Sequence, residues 1–184
     1  MWRPALALLA LGGCAQLFGL ETTSQLAPDA PQIDAPIQGP DAQACVGGDT
    51  RSIDAATGAC YVLFNTPMTR NAARTVCQGL GAGTRLASIQ SASEATVITN
   101  LVGATPAAFL GGSDETLEGT FVWDDGSSVQ LTQWNTGEPN NGAGMFEEDC
   151  IVILGATLAG KWDDRPCAPG PVGTGSYPFV CERD

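Results

Sequence analysis

Apolar and polar positions alternate unevenly along this chain, and the pattern falls into three stretches. Ala5 to Leu11 is a short apolar run behind one cation, Arg3, too short to span a bilayer as a helix. Over residues 15–44 the pattern dissolves into Pro28, Pro31, Pro36 and Pro40 interleaved with Asp29, Asp34, Asp41, Ala and Gln, with Phe18 the single aromatic. Such a segment cannot bury enough apolar surface to offset its ordering entropy, so it predicts an extended linker. Periodicity returns at 45. Tyr61-Val62-Leu63-Phe64 reads as a buried strand, and Thr66-Pro67 then offers a helix N-cap with Pro at the first helical position. Ala72, Ala73, Val76, Cys77 and Leu80 recur at helical spacing, and Gly79, Gly81 and Gly83 end that element. A second helix begins at Ser91, which has capping-box spacing to Glu94; Val97, Ile98 and Leu101 form its apolar side and Gly103 stops it. Beyond Phe109 come short β-like runs, Phe121-Val122-Trp123, Ile151-Val152-Ile153 and Tyr177-Pro178-Phe179-Val180, separated by Gly, Asp, Asn and Pro clusters. Two helices followed by strands and long loops predict one α+β domain over residues 45–184.

Composition narrows the chemistry. An apolar fraction of 43% supplies a core, while 15% charged residues with 23 Gly and 12 Pro favour strands and turns over a helical bundle. Eight Lys and Arg against 20 Asp and Glu give a net charge of −12, which repels a phosphate backbone and excludes nucleic acid as a partner. The absence of His removes His general bases, Ser-His-Asp and Cys-His nucleophiles and every imidazole metal ligand. Residues 1–13 read as a secretion signal, and Leu11-Gly12-Gly13-Cys14 resembles the lipobox of bacterial lipoproteins, in which the Cys becomes the acylated N-terminus. The expected location is the bacterial envelope, at the outer membrane or cell surface, with the membrane reached through a lipid anchor on Cys14. Setting Cys14 aside leaves Cys45, Cys60, Cys77, Cys150, Cys167 and Cys181, an even set that predicts three disulfides in an oxidising compartment, with their connectivity open. Without a CxxC pair or a His, a zinc site is disfavoured.

Between 114 and 164 stand Asp114, Glu115, Glu118, Asp124, Asp125, Glu138, Glu147, Glu148, Asp149, Asp163 and Asp164, with Lys161 the only cation. A solvated acidic face is one reading. The other is a hard cation, because gathered carboxylates repel unless neutralised and calcium takes roughly six to eight oxygen ligands. Asp114, Thr116, Glu118, Gly119 and Asp125 fall near an EF-hand loop, but no flanking helices are predicted and the final Glu is missing.

Residues 60–181 resemble a C-type lectin-like domain, and Cys45 to Cys60 resembles the additional N-terminal hairpin of its long form. The landmarks are Phe109-Leu110-Gly111-Gly112, Glu138-Pro139-Asn140, Glu148-Asp149-Cys150, Lys161-Trp162-Asp163-Asp164, Cys167 and Phe179-Val180-Cys181-Glu182. The resemblance implies a disulfide-stapled α+β fold of two helices, small antiparallel sheets and a long calcium-binding loop region. It implies the pairs Cys45–Cys60, Cys77–Cys181 and Cys150–Cys167. It also implies a calcium and sugar site at Glu138, Asn140, Glu148, Asp163 and Asp164, with Pro139 cis in the calcium-loaded form. Glu-Pro-Asn goes, in that family, with mannose, fucose and N-acetylglucosamine. A second calcium position would use Asp114, Glu118, Asn141, Glu148 and Asp149. Where sugar-binding members have Trp-Asn-Asp, this chain has Trp162-Asp163-Asp164, so an amide that donates becomes a carboxylate that only accepts. Trp123, Trp134 and Trp162 are read as core, with stacking on a sugar face the alternative, and Arg165 beside the site as a solvated charge, with contact to a ligand the alternative. The expected function is calcium-dependent carbohydrate binding by a membrane-anchored surface lectin that does not transform its ligand. The alternative is a calcium-stabilised adhesion module for a protein partner. Glycoside hydrolysis by paired carboxylates has no support beyond the presence of Asp and Glu.

Overall fold

The structure, a computed structural model, describes residues 45–170 and 175–184. The expected leader over 1–13, the lipidation position Cys14 and the linker over 15–44 lie outside the described residues. Strand β1 (Thr50–Ile53) pairs antiparallel with β2 (Cys60–Met68), and the Cys45–Cys60 disulfide clips this hairpin. β2 runs four residues past the Phe64 end of its apolar stretch, so the expected cap at Thr66-Pro67 is not a helix start. Pairing with the last strand lapses between Phe64 and Met68, and Pro67, which has no N–H to give, sits in that gap. The helix α1 (Arg70–Gly79) begins instead behind Thr69, whose hydroxyl accepts from the Ala72 N–H at 3.4 Å. Ala73 and Cys77 face inward as the spacing requires, and Cys77 is bonded to Cys181.

Helix α2 (Ala92–Val102) carries the expected capping box: Ser91 Oγ accepts from the Glu94 N–H at 3.2 Å and the Glu94 carboxylate accepts from the Ser91 N–H at 3.0 Å. Between the helices lies the two-residue strand β3 (Arg85–Leu86). The remaining strands are β4 (Ala107–Ser113), β5 (Cys150–Leu154), β6 (Trp162–Arg165) and β7 (Tyr177–Arg183). The sheet order is β1-β2-β7-β4-β5-β6 with β3 also on β7. Antiparallel pairs are joined by one parallel step, β4 beside β7, into a single sheet of seven strands. Phe121-Val122-Trp123 makes only isolated bridges, from Val122 to Ser113 and Ser128, and is a loop ladder rather than a strand.

The core forms on both sides of β4 and β5. Ile98, Leu110, Ile151, Ile153 and Trp162 pack on the α2 side, and Cys77, Leu86, Phe109, Val152 and Phe179 on the α1 side. Gly111 and Gly112 are there for space: a Cβ would stand 2.7 Å from the Leu86 carbonyl oxygen at the first and 2.4 Å from Ile151 Cδ1 at the second. Trp123 and Trp162 are core as expected while Trp134 is half-buried against it, Trp162 meeting Trp123 and Trp134 edge-on at 5.7 and 5.9 Å between ring centres. β5 and β6 thereby rest on a rigid aromatic floor, with Ile153 opposite Trp162 and Ile151 opposite Asp164.

Candidate functional site

β6 and the loop before β5 bring the expected donors together. Asp163 and Asp164 follow Trp162 on β6, while Glu138 and Asn140 flank Pro139, whose peptide bond with Glu138 is cis. Carboxylate oxygens of Glu138, Asp163 and Asp164 all lie within 4.8 Å of one another. Asn140 joins through its amide, which donates to the Glu138 carboxylate. The loop is tied down by its own backbone: Asp164 accepts from the N–H groups of Asn140 at 3.0 Å and Asn141 at 2.7 Å. Glu148 accepts from the Gly142 N–H at 2.8 Å, and its own N–H donates to the Asn141 amide oxygen at 2.7 Å. Asn141, Gly142 and Ala143 take left-handed backbone angles in succession, φ 46°, 57° and 52°, in the turn from which the N–H groups of Asn140, Asn141 and Gly142 meet these acceptors. Gly142 suits the turn twice over, since a Cβ there would meet the Phe146 ring at 2.8 Å.

Of the second expected group, three carboxylates come together and Glu148 is not among them. Asp114, Glu118 and Asp149 place carboxylate oxygens within 4.8 Å, and the Asn141 amide donates to Glu118 at 3.0 Å. Asp114 Oδ2 accepts from the Gly119 N–H at 2.8 Å, whereas its buried Oδ1 has no partner. Glu148 stands beside the first cluster rather than within it, linked through Gly142 and Arg165. Glu115 lies near Cys150 and Cys167, but those two are bonded to each other and offer no thiolate. Asp124 leaves the acidic set altogether, paired with Arg70 and Arg74 at 2.7 Å each, and Asp125 closes a turn onto Ser127.

Charge is not balanced in these clusters. Burial, more than any neighbour, pushes the Asp114, Glu148, Asp149 and Asp163 carboxyls above the ordinary range, and Glu138 rises through burial and then the charges of Asp163 and Asp164. Carboxylates desolvated against one another, with an orphaned oxygen on Asp114, fit a hard divalent cation. Arg165 remains part-exposed but is not a free charge: its guanidinium is paired with Asp163 and reaches Glu148 Oε1 at 3.8 Å. Sequence reading also gave Glu147 no role, yet its carboxylate accepts from Asn141 at 3.2 Å. The contacts of Arg165 with Glu148 and of Glu147 with Asn141 depend on where a loop returns, whereas Asp163 and Arg165 are paired by their spacing on one strand.

The sequence profile of the Lectin C-type domain matches residues 66–183, and the chain belongs to that family. A C-type lectin mannose-binding isoform from Notechis scutatus scutatus is 33% identical over 129 residues, 68% of this chain and 77% of its own length. Among solved structures, the cow CD23 carbohydrate-recognition domain, determined in the presence of a GlcNAc2Man3 oligosaccharide, is 32% identical with a TM-score of 0.57, covering 68% of this chain and 87% of that one. A Ca2+-dependent type II antifreeze protein in its Ca2+-free form is 28% identical with a TM-score of 0.57, covering 70% and 94%.

Proposed function

We propose that the domain binds carbohydrate through a calcium ion held by Glu138, Asn140, Glu148, Asp163 and Asp164, with mannose, fucose or N-acetylglucosamine as the sugar class. The observation that carries this is the convergence of the part-buried Glu138 carboxylate with the buried carboxylates of Asp163 and Asp164, next to an Asn140 held by Glu138. Calcium supplies open coordination positions for two adjacent hydroxyls. Glu138 and Asn140 then stand on one side to take up hydroxyl protons and lone pairs, Asp164 fixes the loop that carries them, and the aromatic floor under β6 prevents the donors from spreading. The relatives named for mannose and for an oligosaccharide support the sugar class. Asp114, Glu118, Asn141, Glu148 and Asp149 would hold a second ion that orders the loop.

A second reading has its own support: the antifreeze relative is Ca2+-dependent by name and is no sugar receptor by name. In that reading calcium only shapes the loops of a protein-binding or adhesion module. As part of the same proposal, the domain is displayed from the bacterial envelope on a lipidated Cys14 and the Pro-rich linker. Retention of the full chain on immobilised mannose in calcium, with release by a chelator, tests the lectin reading. No retention by folded, calcium-loaded protein sinks it in favour of the module. Partition of the wild type into detergent, lost in Cys14→Ser, tests the anchor.

A further inference from the structure

Asp163 and Arg165 lie two residues apart on β6, so their side chains leave the same face of the strand. Asp163 is buried, with its side chain 5% exposed, while Arg165 is 42% exposed, so the carboxylate is inside the site and the guanidinium covers its rim. Most of the other donors of the cluster are already committed. The Asn140 amide gives one of its two N–H groups to Glu138 and keeps the other, the Asn141 amide is spent on Glu118 and Glu147, and the backbone N–H groups of Asn140, Asn141 and Gly142 on Asp164 and Glu148. Glu138, Glu148, Asp163 and Asp164 can only accept when ionised. A sugar hydroxyl oxygen also needs a donor, and Arg165 has more N–H groups than its two carboxylate partners occupy.

We infer that Arg165 is a positioning and specificity-determining residue: it clamps the Asp163 carboxylate, offsets that charge beside a bound cation, and offers its solvent-facing N–H groups to a sugar oxygen. The inference rests on the calcium and sugar reading above. It makes Asp163 and Arg165 one unit, equivalent in net charge and donor capacity to a neutral amide at position 163.

The experiment compares the full-length wild type with Arg165→Gln, Asp163→Asn and the double variant. Calcium alone is titrated by calorimetry, methyl mannoside is titrated in saturating calcium, and thermal unfolding is followed in chelator. Arg165→Gln removes a like charge from beside the cation, so calcium binds roughly three- to tenfold tighter. The same variant loses a charged donor, so methyl mannoside binds roughly tenfold weaker or worse. A merely structural defect would weaken both, so the opposite signs are the signature. In chelator, Arg165→Gln melts lower because Asp163 is left buried and unpaired, and adding Asp163→Asn restores the melt by removing that charge. The double variant also regains methyl mannoside binding, since an amide brings its own donor. Wild-type affinity for both ligands in Arg165→Gln, or their joint loss, overturns the inference. If the wild type binds calcium but no methyl mannoside, the lectin reading and the donor role fall together, while the calcium and melting arms still decide the clamp. A wild type that binds no calcium overturns both.

Discussion

Asp164 does two things at once, and its substitution separates them. Its carboxylate belongs to the three-carboxylate cluster and also accepts from the successive N–H groups of Asn140 and Asn141. Asp164→Ala should abolish calcium-dependent sugar retention and, in chelator, lower stability by about 1–3 kcal/mol for the acceptors it strands. Asp164→Asn keeps one acceptor oxygen, so it should recover most of the stability but not the calcium binding. Normal sugar binding by Asp164→Ala would place the site elsewhere. Glu138 and Asn140 permit a sharper test because exchanging them conserves charge. Glu138→Gln with Asn140→Asp trades which side of Pro139 accepts and which donates, and competition between free mannose and free galactose should shift towards galactose. An unchanged order of competition would mean that these two side chains do not face the ligand.

At the scale of elements, the two helices differ in how firmly their starts are fixed. The Ser91 cap is reciprocated by Glu94, which also accepts from the Gln90 N–H at 2.7 Å, whereas the Thr69 cap is a single long contact. Ser91→Ala should therefore lower stability by about 1 kcal/mol and Thr69→Ala by clearly less, both read by urea unfolding with sugar retention unchanged. Equal losses would show that Glu94 adds nothing. What was legible in the sequence follows the same line. The capping box, the inward face of α1, β5 and β7 are local patterns, and each appears where its residues put it. The displaced start of α1, the two-residue β3 and the parallel step from β4 to β7 are settled by partners far along the chain. The site divides likewise: its acidic residue types are visible in the sequence, but Arg70 drawing Asp124 out of the set and Arg165 reaching Glu148 depend on tertiary approach. The loop from Asn135 to Asp149 is the element most exposed to such approach, held by hydrogen bonds to carboxylates that also repel one another. Calcium should protect it from a protease such as Glu-C, and equal cleavage rates in calcium and in chelator would argue that no ion orders it.

For the whole molecule, the sign of its response to pH follows from where its negative charge is kept. Glu182 on β7 is buried, accepting from the Ser88 N–H at 2.7 Å and its hydroxyl at 2.8 Å with Arg85 beside it, yet burial still pushes its carboxyl up to about 7. A carboxyl whose folded pKa lies above its unfolded one favours the fold most when protonated. Its contribution is therefore full below about pH 4.5 and lost as the pH rises through about 7, on the order of 3 kcal/mol from this group. Glu138, Glu148, Asp114, Asp149 and Asp163 are raised as well, so in chelator they act in the same direction. Asp54 opposes them, held low by the Ala56 N–H and Ser93, but its effect falls below the ordinary Asp range near pH 4. In chelator, stability should thus rise as the pH falls from 8 to 5, helped by the shrinking of a net charge of −12. Calcium reverses the site's share, because donors must be ionised to hold it and protons then compete with the ion. The calcium-loaded chain should accordingly lose its calcium-induced rise in melting temperature between pH 7 and 5. Glu182→Gln isolates the remote group: it should flatten the chelator profile between pH 5 and 7 while leaving the calcium-dependent difference in place. A chelator profile that falls towards pH 5 would mean that the ionised carboxylates are better satisfied than their burial indicates, and with that the physical case for a cation in the loops would fail.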